Sequence, residues 1–456
     1  MASTSSTIEL ESLHDPSLLD SNNSFGPSDN VIAQSQIADS TVPDGGYGWV
    51  IVFACAVITF WFVGTTYCWG VMQTPLVQEG LASASTLSFI GSLAVALNAG
   101  LAILSARLLQ RVGPRWTGLL GMSALSAGEL LAGFVTHSVG GLFATAGFTL
   151  GMGVSLCFVT VSTLPAQYFS RKRGLANGIV FAGGGLGGSI ISFIINGLTA
   201  RLGIAWTFWI IGILQLATGI PAALLIKERT RIRRNVFIEW SLFKDPTFVL
   251  IFLAGGIATF PLLVPPFFIP LYSRSIGLSA STGACLVAAF NFSSALGRVV
   301  SGLLADNIGP LNALLIGLTL SATSMLVMWP VSETLVPLVM FVVINGAANG
   351  SFFATMPTVV GWLFGSIRVA VAMGMIVTSW YVMSKGLALI IRSNLFQGRW
   401  IPHGRPNCRL HSRCLWRAEC QLYGVQTCDI LFRRYGCRSS CACYCGQGEE
   451  RAQATT

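Results

Sequence analysis

The chain has 456 residues, 53% of them hydrophobic and 10% charged, with a formal net charge of +9. Soluble globular proteins carry about 25% charged residues, so composition excludes the roughly three soluble domains this length would otherwise hold and makes lipid the solvent for most of the chain. The charge is unevenly placed: residues 1–46 hold seven acids and neither Lys nor Arg, whereas residues 47–391 hold 17 Lys and Arg against seven acids. Basic residues confined to short loops set membrane topology and give no sign of a nucleic-acid partner.

Residues 1–46 are rich in Ser, Asn and Asp and lack a basic stretch ahead of an apolar core. They read as a disordered cytosolic tail, not a signal peptide. A membrane crossing needs about 20 mostly apolar residues. Eleven runs qualify, at 48–70, 86–106, 116–136, 140–163, 174–197, 206–226, 248–271, 281–304, 311–330, 336–360 and 370–391. Alternate loops hold thirteen basic residues, among them Arg107, Arg111, Arg115, Arg171, Lys172, Arg173 and Arg368, against only Arg201 and Arg274 in the others. That asymmetry places the N-terminus and the long loop after the sixth span in the cytosol.

The chain repeats itself. Gly113-Pro114 after the second span matches Gly309-Pro310 after the eighth, an offset of 196, and Gly178 matches Gly374 at the same offset. Two parallel six-helix repeats follow: an N-terminal half at 47–226, a basic middle loop at 227–247 and a C-terminal half at 248–391 carrying helices seven to eleven. The expectation is an all-α polytopic membrane protein, with a substrate site between the halves near the bilayer midplane.

Three stretches carry recognisable motifs. Asp44-Gly45-Gly46-Tyr47-Gly48-Trp49 opens the first span, where the glycines permit a tight turn and the aromatic rings anchor at headgroup level. The segment from Tyr168 to Gly178 contains Arg171-Lys172-Arg173, which also reads as a plain topology determinant. Gly297-Arg298 leads into Ala305-Asp306-Asn307-Ile308-Gly309-Pro310. Together they resemble the monocarboxylate-porter family of the major facilitator superfamily, on its fungal side, over about residues 42–382. The resemblance implies the major facilitator fold and a secondary transporter, proton symporter or efflux pump, working as a monomer in the plasma membrane.

Ionisable residues inside the spans are few: Glu129, Arg298 and Lys385. Each costs about 2.5–3.5 kcal/mol at a helix centre, so each needs an interior or aqueous partner. A guanidinium can hold a carboxylate through two parallel hydrogen bonds, and the resemblance gives Arg298 the role of substrate-carboxylate and coupling residue. The other reading is an arginine that reaches toward the cytosolic face and organises the gate with Asp306, although eight residues, about 12 Å of helix, separate them. Porters that couple lactate-like anions to protons carry an aspartate seven residues before that arginine and a lysine late in the first helix. Here the first position is Asn291, and the second region reads Tyr67-Cys68-Trp69 with no lysine. Arg298, Asn291, Tyr67 and Trp69 are therefore the expected substrate-binding residues, for a larger and less charged cargo: a carboxylate, a vitamin or a fungal secondary metabolite.

Glu129 is a candidate proton carrier, or else a carboxyl satisfied by a polar neighbour. With Asp306, Arg111, Arg171 and Arg173 it completes the expected coupling and gating set. The run Gly183-Gly184-Gly185-Leu186-Gly187-Gly188 lacks the Lys-Ser/Thr and preceding strand of a phosphate loop, so it reads as a close helix-packing surface. No cofactor, metal-site or enzyme motif is present: the four histidines form no H-E-x-x-H, and there is no nucleophile elbow. A non-transporting membrane sensor on the same fold is the competing class.

The pattern breaks at the C-terminus. The repeat offset places a twelfth helix at 402–422, where seven ionisable groups forbid insertion. Residues 392–456 hold ten arginines and eight of the twelve cysteines in no defensible zinc spacing. They read as an aberrant, out-of-frame tail in which the twelfth helix is lost.

Overall fold

The structure, a computed structural model, describes residues 42, 44–229, 239–262 and 264–396. The first span, α1, is Gly48–Gln78. The second, α2, is built of two pieces, Ala84–Gly100 and Ala102–Val112, bent by 55°. Then come α3 (Pro114–Phe134), α4 (Val139–Tyr168), α5 (Arg173–Leu202) and α6 (Ile204–Leu225). A 3-10 turn at Trp240–Lys244 leads into α7, in two pieces, Pro246–Leu262 and Val264–Ser275. It is followed by α8 (Ala280–Ile308) and α9 (Pro310–Thr323). The helical stretch Leu335–Phe396 turns sharply at Gly365 (φ 72°, ψ 169°) and is two spans, α10 (Leu335–Gly365) and α11 beyond it. Among the described residues nine helices are long and apolar enough to cross a membrane, the bent α2 pair makes a tenth, and Arg368–Trp380 of α11 is a shorter apolar segment.

These elements match the eleven runs of the sequence, and the internal repeat is visible in how the helices begin. Ser83 caps α2 by accepting from the Thr86 amide, and Ser279, 196 residues on, caps α8 by accepting from Thr282. Gly113 and Gly309 both take positive φ (86° and 93°) immediately before Pro114 and Pro310, which open α3 and α9. An L side chain rarely adopts that backbone, and proline at a first helical position loses no hydrogen bond, so each Gly-Pro pair turns the chain once. The twelfth-helix window at 402–422 and the Cys/Arg-rich tail from residue 397 lie outside the described residues, as do 1–41, 43 and 230–238.

The glycine run lets α5 lie against α1 on one face and α8 on the other. A Cβ at Gly183 would meet the backbone of Ala56, and one at Gly185 would sit 2.8 Å from Ala295 and the Asn291 carbonyl. Helices without side chains at their contact come close enough for dispersion to hold them where the hydrophobic effect is weak. So α5 is wedged between its own half and the second half, and this seam positions the site.

Candidate functional site

Arg298 lies on α8 ten residues before the helix ends at Ile308, about 15 Å along the axis, or half of a bilayer core about 30 Å thick. It is 1% exposed. Its Nη1 donates to the Phe181 carbonyl on α5 at 2.6 Å, and the Tyr67 side chain of α1 lies beside the guanidinium. The guanidinium also sits over the Phe353 ring of α10, 5.7 Å from its centroid. Its Nε has no partner. Among the described residues no carboxylate reaches it. The charge is held by one carbonyl and a ring face, with the Tyr67 phenol beside it, which leaves donors unmatched by any anion.

Asn291 shares this place. Both it and Tyr67 border Gly188, where a Cβ would lie 3.3 Å from Asn291 Nδ2 and 3.6 Å from the Tyr67 ring. The Asn291 Oδ1 is buried without a partner. Around them stands an aromatic wall drawn from both halves. Phe158 packs on Phe62, Phe181 and Trp380, with centroids 5.8–6.3 Å apart, and Trp380 packs in turn on Phe352 and Phe353. The arrangement can hold an anionic or strongly polar group at Arg298 and Asn291 and an apolar body against the rings.

The fourth expected binding residue is elsewhere. Trp69 points into the N-terminal half, donates from Nε1 to the Leu87 carbonyl at 2.9 Å, and lines a small cavity with Thr65, Thr66 and Glu129. Helical residues two apart diverge by about 160°, so Tyr67 and Trp69 face different neighbours. Glu129, from α3, is buried there with Oε2 unpartnered.

Toward the end of the bundle that bears the basic loops, hydrogen bonds bridge the seam. Asp306 does not pair with Arg298. Its carboxylate accepts from the Gly174 amide at 2.7 Å and the Leu175 amide at 2.8 Å, at the N-terminus of α5. Unsatisfied amides and the helix dipole make that end a natural place for a negative charge. Arg173 is buried, with Nε donating to Phe169 O at 3.0 Å, Nη2 to Ala166 O at 3.3 Å and Nη1 across the seam to Gly361 O at 2.7 Å. A topology signal alone would leave this side chain in water, as Arg171 is, so for Arg173 the plain topology reading is corrected. One turn inward, Asn177 Nδ2 donates to Thr358 Oγ1 at 2.8 Å. Arg111 is exposed in the last turn of α2.

The signature at the start of α1 packs against the loop before α5. Asp44 Oδ1 accepts from the amides of Ser170 (2.7 Å), Arg171 (2.9 Å) and Lys172 (3.3 Å). Of its glycines, Gly46 makes the turn, with φ 60°. Gly48 is already helical, and its reason is contact: a Cβ there would lie 2.9 Å from the Phe169 ring. Tyr47 is more than an anchor, since its hydroxyl donates to the Leu225 carbonyl at 2.8 Å, and the Trp49 ring meets Phe169 edge-on at 4.9 Å. Gly45 does not take positive φ.

Sequence reading missed the aromatic wall and Gln215, a fully buried amide on α6 whose polar atoms have no partner. Phe and Trp in an apolar span carry no mark of whether they face lipid or the seam. Gln215 did carry one: an uncharged polar side chain inside a span.

The family description of the Major Facilitator Superfamily matches residues 49–384. The chain is 28% identical over 385 residues to MFS-type transporter 1 of Ophiocordyceps sp. (strain BCC 1869), covering 82% of this chain and 84% of that one. It is 30% identical over 349 residues to the aspyridones efflux protein apdF of Emericella nidulans, covering 74% and 70%. It is 29% identical over 275 residues to monocarboxylate transporter 4 of Gallus gallus, covering 58% of each. Among solved structures it is similar to the proton:xylose symporter XylE at a TM-score of 0.60 and 12% identity, covering 78% of this chain and 90% of that one, which is a likeness of fold.

Proposed function

The chain belongs to the major facilitator superfamily and is a multi-pass membrane transporter, and from that premise we propose that it exports a small organic acid with an extended apolar body, held at Arg298 and moved by alternating access of the two halves. The observation that carries this reading is a buried guanidinium midway through the membrane, at the seam, with no carboxylate against it among the described residues. A charge in that position is costly unless an anion completes it. A bound carboxylate would take the free Nε and an Nη through charge-assisted bonds, with Asn291 and Tyr67 beside it. The aromatic wall of Phe158, Phe181, Phe353 and Trp380 favours a ring or long chain over a lactate-sized body.

Relatives that include a fungal efflux protein support export, and the basic loops support a cytosolic N-terminus with the 227–247 loop inside; the plasma membrane is the expected location. The halves at 47–226 and 248–391 would rock about α5 and α8, the Asp306 and Arg173 latch shutting the cytosolic end while the site faces out. One chain suffices as the transport unit, and a proton is the expected coupling ion. The test is transport by purified protein in liposomes of a labelled series from lactate to 4-hydroxybenzoate and naphthoate. Saturable transport that rises along the series and is lost in Arg298→Ala supports the reading. Equal transport of the uncharged amides of the same compounds would overturn the carboxylate assignment.

A further inference from the structure

We propose that Glu129 is a proton-binding site built inside the N-terminal repeat, separate from Arg298, and that it holds its proton in the conformation described. As a coupling site it rests on the transport reading above; as a proton site it stands on the following geometry. Glu129 is 4% exposed, its Oε2 is enclosed without a partner, and it lines a cavity with room for about one water. The polar groups that face this cavity have already spent their donors. Thr65 Oγ1 donates to the Trp61 carbonyl at 2.8 Å, Thr66 Oγ1 to the Phe62 carbonyl at 2.6 Å and Trp69 Nε1 to the Leu87 carbonyl at 2.9 Å.

What the threonines still offer is acceptor lone pairs. A carboxylate, which only accepts, finds nothing there; a carboxylic acid, which brings its own O–H, does. The other lining residues, Met72, Gly91, Ala94, Ala146, Leu150 and Ile195, do not titrate. The titratable group that feels Glu129 electrostatically is the Cys68 thiol on α1, engaged with Ser192 and the Gly188 carbonyl.

A second set of groups waits on the other side of Glu129. The antiparallel α3 and α6 are in register with Gly212 against Leu130 and Gly219 against Met122, which sets Gln215 opposite Ser126, one turn from Glu129. Ser126 Oγ and both amide atoms of Gln215 are buried and unpartnered. They are donors in reserve. When the O–H of Glu129 breaks and its proton passes to a water entering the cavity, the carboxylate left behind can turn to the Gln215 amide and the Ser126 hydroxyl. Both protonation states then have partners, in two side-chain arrangements, and α1, whose other face carries Tyr67 to Arg298, lies against the site that changes.

The first test needs no cargo. Infrared spectra of the purified protein at neutral pH should show a carboxylic-acid carbonyl band that disappears in Glu129→Gln and is lost from the wild type as pH is raised. A spectrum unchanged by Glu129→Gln overturns the proposal. Should that variant fail to fold, the wild type treated with a hydrophobic carbodiimide should carry its adduct on the peptide containing Glu129 at neutral pH and not at alkaline pH; an unmodified Glu129 overturns it equally. The coupling arm uses 4-hydroxybenzoate in liposomes. Glu129→Gln should keep exchange of labelled for unlabelled compound yet lose accumulation driven by an imposed pH gradient, and accumulation equal to wild type overturns the coupling role. Wild type that moves no 4-hydroxybenzoate at all refutes the Arg298 reading and leaves the spectroscopic result to decide the proton site.

Discussion

Asp306→Asn should unlatch the basic end of the seam. In the closed arrangement one carboxylate receives the Gly174 and Leu175 amides at 2.7 and 2.8 Å. Asparagine keeps one acceptor oxygen and turns an NH2 group toward the other amide, so one charge-assisted hydrogen bond is lost and a donor faces a donor. A hydrogen bond to a charged group is worth about 1.5–3 kcal/mol, and the favourable placement of a negative charge at a helix N-terminus adds about 0.3–1 kcal/mol. Asp306 is only half-buried, so solvent screens part of this, and about 2 kcal/mol is the working figure. That shifts the ratio of open to closed by about 30-fold, enough to take an open population of about 1% to about a quarter. Spin labels at Arg115→Cys and Asn312→Cys, exposed near the starts of α3 and α9 in a background without the native cysteines, report the separation of the halves by pulsed dipolar spectroscopy. The variant should gain a longer-distance component that the wild type barely shows. Identical distance distributions would refute the reasoning that these two bonds hold α5 to α8.

Three further outcomes follow from the same geometry. Arg298→Ala should lower affinity for a carboxylate cargo by about 30-fold to several thousand-fold, the effect of about 2–5 kcal/mol for a desolvated charge pair, and Arg298→Lys should also bind poorly because an ammonium lacks the planar fork; equilibrium binding to protein already shown to reach the membrane checks both. Gly48→Ala should cost about 1–3 kcal/mol through overpacking, since its Cβ would press on Phe169 at 2.9 Å, and it should lower the thermal unfolding temperature of the detergent-solubilised protein more than Gly70→Ala, where nothing lies within 4 Å. Asp44→Ala frees the Ser170, Arg171 and Lys172 amides, and hydrogen exchange in the 168–173 loop should accelerate while the middle of α5 stays protected.

Much was already written in the residues. Hydropathy marks eleven spans because lipid cannot hydrogen-bond to backbone, so every crossing must be a long apolar helix. The 196-residue offset announces two like halves, since Gly-Pro and Ser caps are local devices that act wherever they occur. Scarcity singled out Glu129 and Arg298, because a charge in a span is too costly to be accidental. Direction and partnership were decided only by packing. Tyr67 and Trp69 stand two residues apart on one helix, yet one meets Arg298 and the other faces Glu129, according to where α5 and α2 happen to lie. Asp306 is eight residues from Arg298 but finds its partners on α5, 131 and 132 residues away in sequence. Arg171 and Arg173 look alike in a basic loop, and only the approach of α10 buries one of them. Hydrophobic period and charge are properties of a segment and survive reading in isolation; a seam is a property of two segments, and which side chains meet across it depends on the close approach that the α5 glycines allow.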